Sequence, residues 1–300
     1  MLLIGSCSAT KRFPVHPLLR AAQVSGKTLA AYAGIWRDRI TRAEPTAAAR
    51  DMYAGVGAAA LREAIQNGQG RLLFVSAGLG VVSASERIAS YDLTVSRAGP
   101  GPFSVLKVPY RPQEWWAAVH PSRRSPLADY VRSADDTVVL ALPAAYLAMV
   151  SEDLTRLSSR QVTKLRIIAT GGFRVPAQLQ EQCIWYDSRL NSLGRPYSGS
   201  MASLVSRAAL HFATVVMADG RLKSAASHRA RVEKILATQP DFVRAQREPQ
   251  SDAQILKRVR SMVRNAFSTT RALEELRTAH GVACEAGRFR RLYEVANDGK

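Results

Sequence analysis

Apolar residues fall into two rhythms along this chain. One consists of short runs bounded by small or polar residues: Leu2-Leu3-Ile4, Leu72–Val75, Val138–Leu142 and Leu165–Ala169, the last interrupted by Arg166. Runs of this length between turn signals predict strands buried on both faces. Cys183–Ser188 supplies a fifth, weaker candidate. The other rhythm is a 3.6-residue repeat, which predicts helices. It runs over 18–40, where Leu18, Leu29, Tyr32 and Trp36 share a face, and over 46–67, opened by Pro45-Thr46 and ended near Asn67-Gly68. It continues through Glu114–Val119 and 143–163, while the Gly- and Pro-rich stretch 96–113 predicts an irregular connection. Strands alternating with helices predict an α/β domain over 1–198, with a central, mostly parallel sheet and helices on both faces.

From about Ser200 the strand signal stops. Residues 200–218, Ala225–Ala237 and Asp252–Phe267 predict three helices, and Ser268 and Gly281 bracket a fourth as N-cap and terminator. The final helix carries Arg288, Arg290 and Arg291. An all-helical domain over 199–300 is therefore expected. Its last two helices, joined by a Gly-containing turn, resemble a DNA-binding helix-turn-helix; an α-hairpin packed on the sheet fits the pattern equally.

Charge narrows the choice of partner. The chain has a net charge of +18 and a pI near 10.5. Residues 201–300 hold 18 basic against 10 acidic residues and residues 1–200 hold 24 against 14, so the excess is not a basic tail. Most of it is Arg, which suits bidentate phosphate contacts. A nucleic acid is the expected partner. The three cysteines and five histidines show no ligand spacing, which speaks against a disulfide framework, a zinc site or a metal enzyme, and no cofactor is expected. No apolar run is long enough to span a bilayer. The opening apolar stretch is too short for a signal-peptide core and is followed, not preceded, by its charges, which predicts a cytoplasmic protein without a membrane partner.

Ligands of open α/β sheets bind beyond the carboxyl ends of the strands. Two strands here run into small-residue loops, Gly5–Lys11 and Ser76–Gly80. Neither is a Walker A motif or a dinucleotide fingerprint. Ser6, Ser8 and Ser76 offer hydroxyls, Cys7 and Gly78 close backbone approach, and Lys11 and Arg12 positive charge for a base or phosphate. Lys11 suits electrostatics, or an amine nucleophile were its pKa lowered. Asp92, beside Tyr91, could stabilise a cationic transition state or activate water; a turn or cap carboxylate is its plainer role. Asp187, with Asn191, is the alternative catalytic acid. Trp115-Trp116 could stack on a base or fill the core.

The segments Gly5-Ser6-Cys7-Ser8-x-x-Lys11-Arg12, Val75-Ser76-Ala77-Gly78 and Ser90-Tyr91-Asp92-Leu93 together resemble a bacterial domain family. Its members open with Cys-Ser/Thr-x-x-Lys and continue through Leu-Ser-Ala-x-x-Gly to Pro-Tyr-Asp-Leu. That family is similar to the peroxide-stress proteins and, more distantly, to the uracil-DNA glycosylase superfamily. It includes phage-defence DNA glycosylases that remove glucosylated hydroxymethylcytosine. The matching motifs cover roughly 2–95. The chain departs from them at Gly78-Leu79-Gly80, where a bulkier residue is usual, and at Ser90, where Pro is common. The resemblance implies a uracil-DNA-glycosylase-like sheet and excision of a modified base flipped out of double-stranded DNA. It makes Asp92 the catalytic carboxylate and lets Ser6, Ser8, Lys11 and Ser76 line the pocket. His120-Pro121-Ser122 is similar to a base-contacting loop of that superfamily, although a basic surface loop fits better; Arg123 and Arg124 beside it are expected to grip phosphates. A non-catalytic nucleic-acid-binding stress or regulatory protein, and a base-exchanging transglycosylase, are the alternatives.

Overall fold

The structure, a computed structural model, describes residues 1–66, 70–95, 101, 106, 110–120, 126–218, 223–241 and 246–298. Arg123 and Arg124 lie outside them. The chain forms two compact units, Met1–Phe242 and Val243–Lys300.

In the first unit the strands are β1 (Leu2–Ser6), β2 (Ala47–Ala48), β3 (Arg71–Ser76), β4 (Gly80–Ser83), β5 (Arg87–Ile88), β6 (Val138–Ala141), β7 (Leu165–Thr170) and β8 (Cys183–Tyr186). Six of them make one sheet in the order β4-β3-β1-β6-β7-β8. All its neighbours are parallel except the β3–β4 hairpin. Successive residues of β1, β6 and β7 are buried. Side chains alternate between faces along a strand, so both faces of the sheet are covered.

The helices of this unit are α1 (Leu29–Arg42), α2 (Ala49–Met52), α3 (Val56–Gln66), α4 (Pro112–Val119), α5 (Pro126–Arg132), α6 (Ala144–Met149), α7 (Ser151–Thr155), α8 (Ser159–Val162), α9 (Leu204–His211) and α10 (Ala225–Ala237). α3 and α9 pack on each other and over β1, β6 and β7. Gly5 makes this approach possible: a Cβ there would lie 2.3 Å from Leu61 Cδ1. α1, α4 and α6 form a second layer. Its indoles reach back to the β3–β4 turn, Trp36 Nε1 donating to Gly78 O and Trp115 Nε1 to Ala77 O, both at 2.8 Å.

Several expected helices are shorter. Residues 18–28 form two 3₁₀ turns before Thr28 caps α1. The helix expected over 46–67 is broken at Gly55, whose φ of +89° only glycine adopts freely. The segment 143–163 divides into α6, α7 and α8. Ser76–Gly80, expected as a small-residue loop at a strand's carboxyl end, is a hairpin turn into β4. The domain boundary moves as well. α9 and α10 pack on the sheet of the first unit, α10 against β8, so residues 199–241 belong to the α/β unit and the division falls at 242/243. The cause is composition: eight consecutive residues of α9 are buried, which a helix achieves only between other layers.

The second unit holds β9 (Glu248–Pro249), α11 (Asp252–Arg264), α12 (Thr269–Thr278), β10 (Val282–Ala283) and α13 (Ala286–Asp298). β9 and β10 pair in parallel, strands the sequence pattern did not signal. Ile255, Val259, Leu276, Val282 and Phe289 anchor its own core. Ser268 caps α12, and Gly281 turns the chain at a φ of +59°.

Candidate functional site

Strand order reverses at β1. The chain leaves β1 to build β3 and β4 on one side and returns to build β6 on the other. A crevice opens beyond the carboxyl ends of strands at such a switch point, and here it holds a cavity of about 660 Å³. Ser6, Cys7 and Ser8 enter it from the end of β1, and Pro143 and Tyr146 from beyond β6. Asp92–Thr94 form one wall, Ala54–Ala58 at the start of α3 another, and Ser200, Ser203 and Ser206 a third.

The loop after β1 is held by the chain beyond α2. Arg12 N donates to Met52 O and Ala54 N to Thr10 O, each at 3.0 Å, around a bridge between Lys11 and Tyr53. This brings Ser8 beside the first turn of α3, where unpaired N–H groups concentrate partial positive charge.

Asp92 is fixed by backbone. Its Oδ1 accepts from Ala21 N at 2.6 Å, and its own N–H donates to Leu19 O at 3.4 Å. Among the described residues Oδ2 takes no hydrogen bond, and Asp92 is the one charged side chain on the cavity wall. Lys11 does not reach that wall. Its Nζ donates to Ser8 O at 3.0 Å and lies 4.2 Å from the Tyr91 ring centroid and 5.8 Å from that of Tyr53. Burial lowers the Lys11 pKa, and nearby Cys7 and Asp92 partly oppose this. Cys7 Sγ contacts Tyr146 Oη at 3.1 Å.

Ser76, Gly78 and Tyr91 are core residues, a correction to their expected place in a binding loop. Ser76 Oγ meets Tyr91 Oη at 2.5 Å, and Tyr91 Oη meets Tyr53 Oη at 2.8 Å. Ser76 Oγ also accepts from Gly78 N and Leu79 N, so it closes the hairpin turn. A Cβ on Gly78 would stand 3.1 Å from the Trp36 and Tyr91 rings. Burial raises the Tyr53 and Tyr91 pKa values and keeps both phenols neutral. None of the three lines the cavity, and the Tyr91 ring seats the Lys11 ammonium.

The remaining candidates fall elsewhere. Asp187 pairs with Arg189 through both carboxylate oxygens, at 2.7–3.1 Å, which lowers its pKa and occupies its acceptors. It does not line the cavity. Asn191 is buried and structural: its Oδ1 accepts from Gly199 N and from Arg207 Nη1, both at 2.9 Å. Trp115 and Trp116 are core, Trp116 Nε1 donating to Asp153 Oδ2 at 2.9 Å. His120 meets the Trp116 ring edge-on and abuts Gly80, away from the cavity, and burial lowers its pKa to about 4. Arg12 is exposed beside the β1 loop. No Lys or Arg side chain lies on the described walls, so the pocket is rich in hydroxyls with Asp92 as its one charge, where a basic cleft was expected.

The serine wall was not anticipated, because Ser200, Ser203 and Ser206 read as the polar start of a helix. Their spacing of three, just before an apolar run, is the signal that could have marked them. Behind them Arg207 is fully buried and hydrogen-bonds Ser203 Oγ, Ser200 O and Tyr197 O as well as Asn191. Among the described residues, no three His, Cys, Asp or Glu side chains gather where a metal ion could be held. No protein-family model, curated protein or solved structure matches this chain.

Proposed function

We propose that the first unit hydrolyses the N-glycosidic bond of a nucleotide turned out of duplex DNA, releasing a modified base and leaving an abasic site. The observation that carries this reading is Asp92: a carboxylate held by a backbone N–H through Oδ1, with no hydrogen bond to Oδ2 among the described residues, on the wall of a hydroxyl-lined cavity. Cleavage of the bond builds oxocarbenium character on the sugar. A fixed carboxylate stabilises that charge and orients water, as carboxylates do in glycoside hydrolysis. Desolvation makes the interaction stronger than it would be in bulk water. Lys11 acts at longer range, as an ammonium behind the β1 loop that draws phosphate toward the site.

The volume suits a ligand larger than a plain pyrimidine. The many hydroxyls suit a polyhydroxylated substituent, so the base assigned is hydroxymethylcytosine carrying glucose, and the biological setting is defence against phage. In this reading the sheet is of the uracil-DNA-glycosylase kind, and the first turn of α3 faces a phosphate or an oxyanion of the leaving base. The motifs at 5–12, 75–78 and 90–93 support the same assignment by resemblance.

One observation favours a second reading. Among the described residues the cavity walls carry no cation, which fits a nucleic-acid-binding protein whose contacts lie elsewhere and which performs no chemistry. Asp92→Asn separates the two. The hydrolase reading expects abasic sites to fall by at least 100-fold in modified DNA while DNA affinity stays within about two-fold. Unchanged function of Asp92→Asn would leave the binding reading standing. Base exchange, the third possibility, would show as incorporation of a labelled free base.

A further inference from the structure

The second unit distributes its charge unevenly. After Asp252, α11 reads AQILKRVRSMVR, with four cations and no acid. Asp252 itself is taken by Arg288 of α13, whose Nε donates to it at 2.7 Å, while Arg288 Nη2 reaches Gln250 O at 2.8 Å. Arg288 is thus a structural tie and not a free DNA contact. Arg290 and Arg291 are exposed, but they share α13 with Glu294 and Asp298. On α12, Arg277 is held by Cys284 O and Arg271 lies over the Phe267 ring.

Lys257, Arg258, Arg260 and Arg264 differ from these. All four are exposed, and among the described residues none is ion-paired. Among the described residues Arg258 makes only long contacts, to Gln250 and His280 at 3.4 and 3.3 Å. The helical period sets Gln254, Arg258, Ser261 and Asn265 in one stripe, with Lys257, Arg260 and Arg264 along its flank. Ile255, Val259, Met262 and Val263 point into the core. The stripe borders a groove of about 530 Å³ closed by Phe267, Glu275 and His280.

We infer that α11 is the helix that enters the major groove of duplex DNA, with Lys257, Arg260 and Arg264 on phosphates and Gln254, Arg258 and Asn265 toward base edges. Unneutralised cations supply the attraction to phosphate. Amides and Arg interleaved with them are the side chains that read adenine and guanine edges. Thirteen residues make a rod about 20 Å long and 10–12 Å across, which fits the wide B-form major groove but not the deep, narrow one of A-form RNA. An anionic membrane would call for large apolar residues beside the cations, and this exposed face has none. The inference does not depend on the chemistry of Asp92.

The test uses the full-length protein and unmodified DNA, so that its result is independent of base release. Fluorescence anisotropy would follow binding to a 20-base-pair DNA duplex, the matching RNA duplex and phosphatidylserine vesicles. Arg260→Ala/Arg264→Ala should weaken DNA binding at least ten-fold and flatten the slope of log Kd against log salt by about 2. Arg290→Ala/Arg291→Ala should stay within two-fold of wild type. Gln254→Ala/Asn265→Ala should bind random DNA normally but lose sequence preference in a selection from a duplex pool. The four arginines are exposed and without ion pairs among the described residues, so circular dichroism should be unchanged in both arginine pairs. Gln254 accepts from Ser251 N and Oγ in the α11 capping box, so the amide variant is compared at a temperature where its own melting curve shows it fully folded. Full affinity in the α11 pair, loss confined to the α13 pair, or tighter binding to RNA or vesicles would overturn the assignment.

Discussion

Asp92 has two separable roles, and its two oxygens divide them. Oδ1 satisfies the Ala21 N–H, while Oδ2 takes no hydrogen bond among the described residues and the residue lines the cavity. Asp92→Asn keeps an acceptor for Ala21 and should melt within about 2 °C of wild type. Asp92→Ala leaves that N–H without a partner and should cost about 1–3 kcal/mol in chemical denaturation. Both variants should lose base release equally; an active Asp92→Asn protein would show that the carboxylate serves only the turn. Asp92, Ser6, Cys7 and Ser8 were legible in the sequence because each follows a buried strand or sits in a distinctive tripeptide. Ser76 and Gly78 carried the same surface signature, yet they face inward. What separates them is the antiparallel hairpin, a long-range pairing that small residues after a strand do not reveal.

Elements decide how far such residues are brought together. The sheet strands were readable as short apolar runs, since a strand buried on both faces has no polar alternation to obscure it. The helical stretches were readable in type but not in extent. Gly55 and the turns at 143–163 break helices that periodicity alone joins, and those breaks deliver Ala54–Ala58 and Tyr146 to the cavity. The serine wall depends on Arg207, whose planar fork ties Tyr197, Ser200 and Asn191 together. Arg207→Lys retains the charge but not the fork. It is expected to raise KM several-fold with kcat less affected, because the wall would loosen while Asp92 stays in place. Substrate titration of initial rates would show this, and an unchanged KM would mean that the wall does not touch substrate.

On the scale of the whole molecule, net charge sets the expectation of a polyanionic partner but not the place where it would bind. The basic excess was visible in composition, whereas its sorting into paired and unpaired cations required the fold. Acid stability follows from two histidines of the first unit, the half-buried His120 and the buried His211. Burial lowers the pKa of both His120 and His211 from 6.5 to about 4. The unfolded chain therefore takes up these protons first as pH falls, and stability present above about pH 6.5 is lost progressively down to about pH 4. Each histidine contributes at most about 3 kcal/mol to that loss. His211 also contacts Tyr186 Oη at 3.0 Å, so His211→Gln should be less stable at pH 7 but show a flatter acid limb in melting temperature. An acid limb as steep as that of wild type would place the proton uptake elsewhere.

The central claim is that a base leaves its sugar in the cavity beside Asp92. Mass spectrometry of the small molecules liberated when the protein meets DNA bearing glucosylated hydroxymethylcytosine tests it most directly, with unmodified DNA as the control. The account predicts the free modified base in amounts matching the abasic sites formed, and none from the control. DNA that is bound yet releases no base would contradict it.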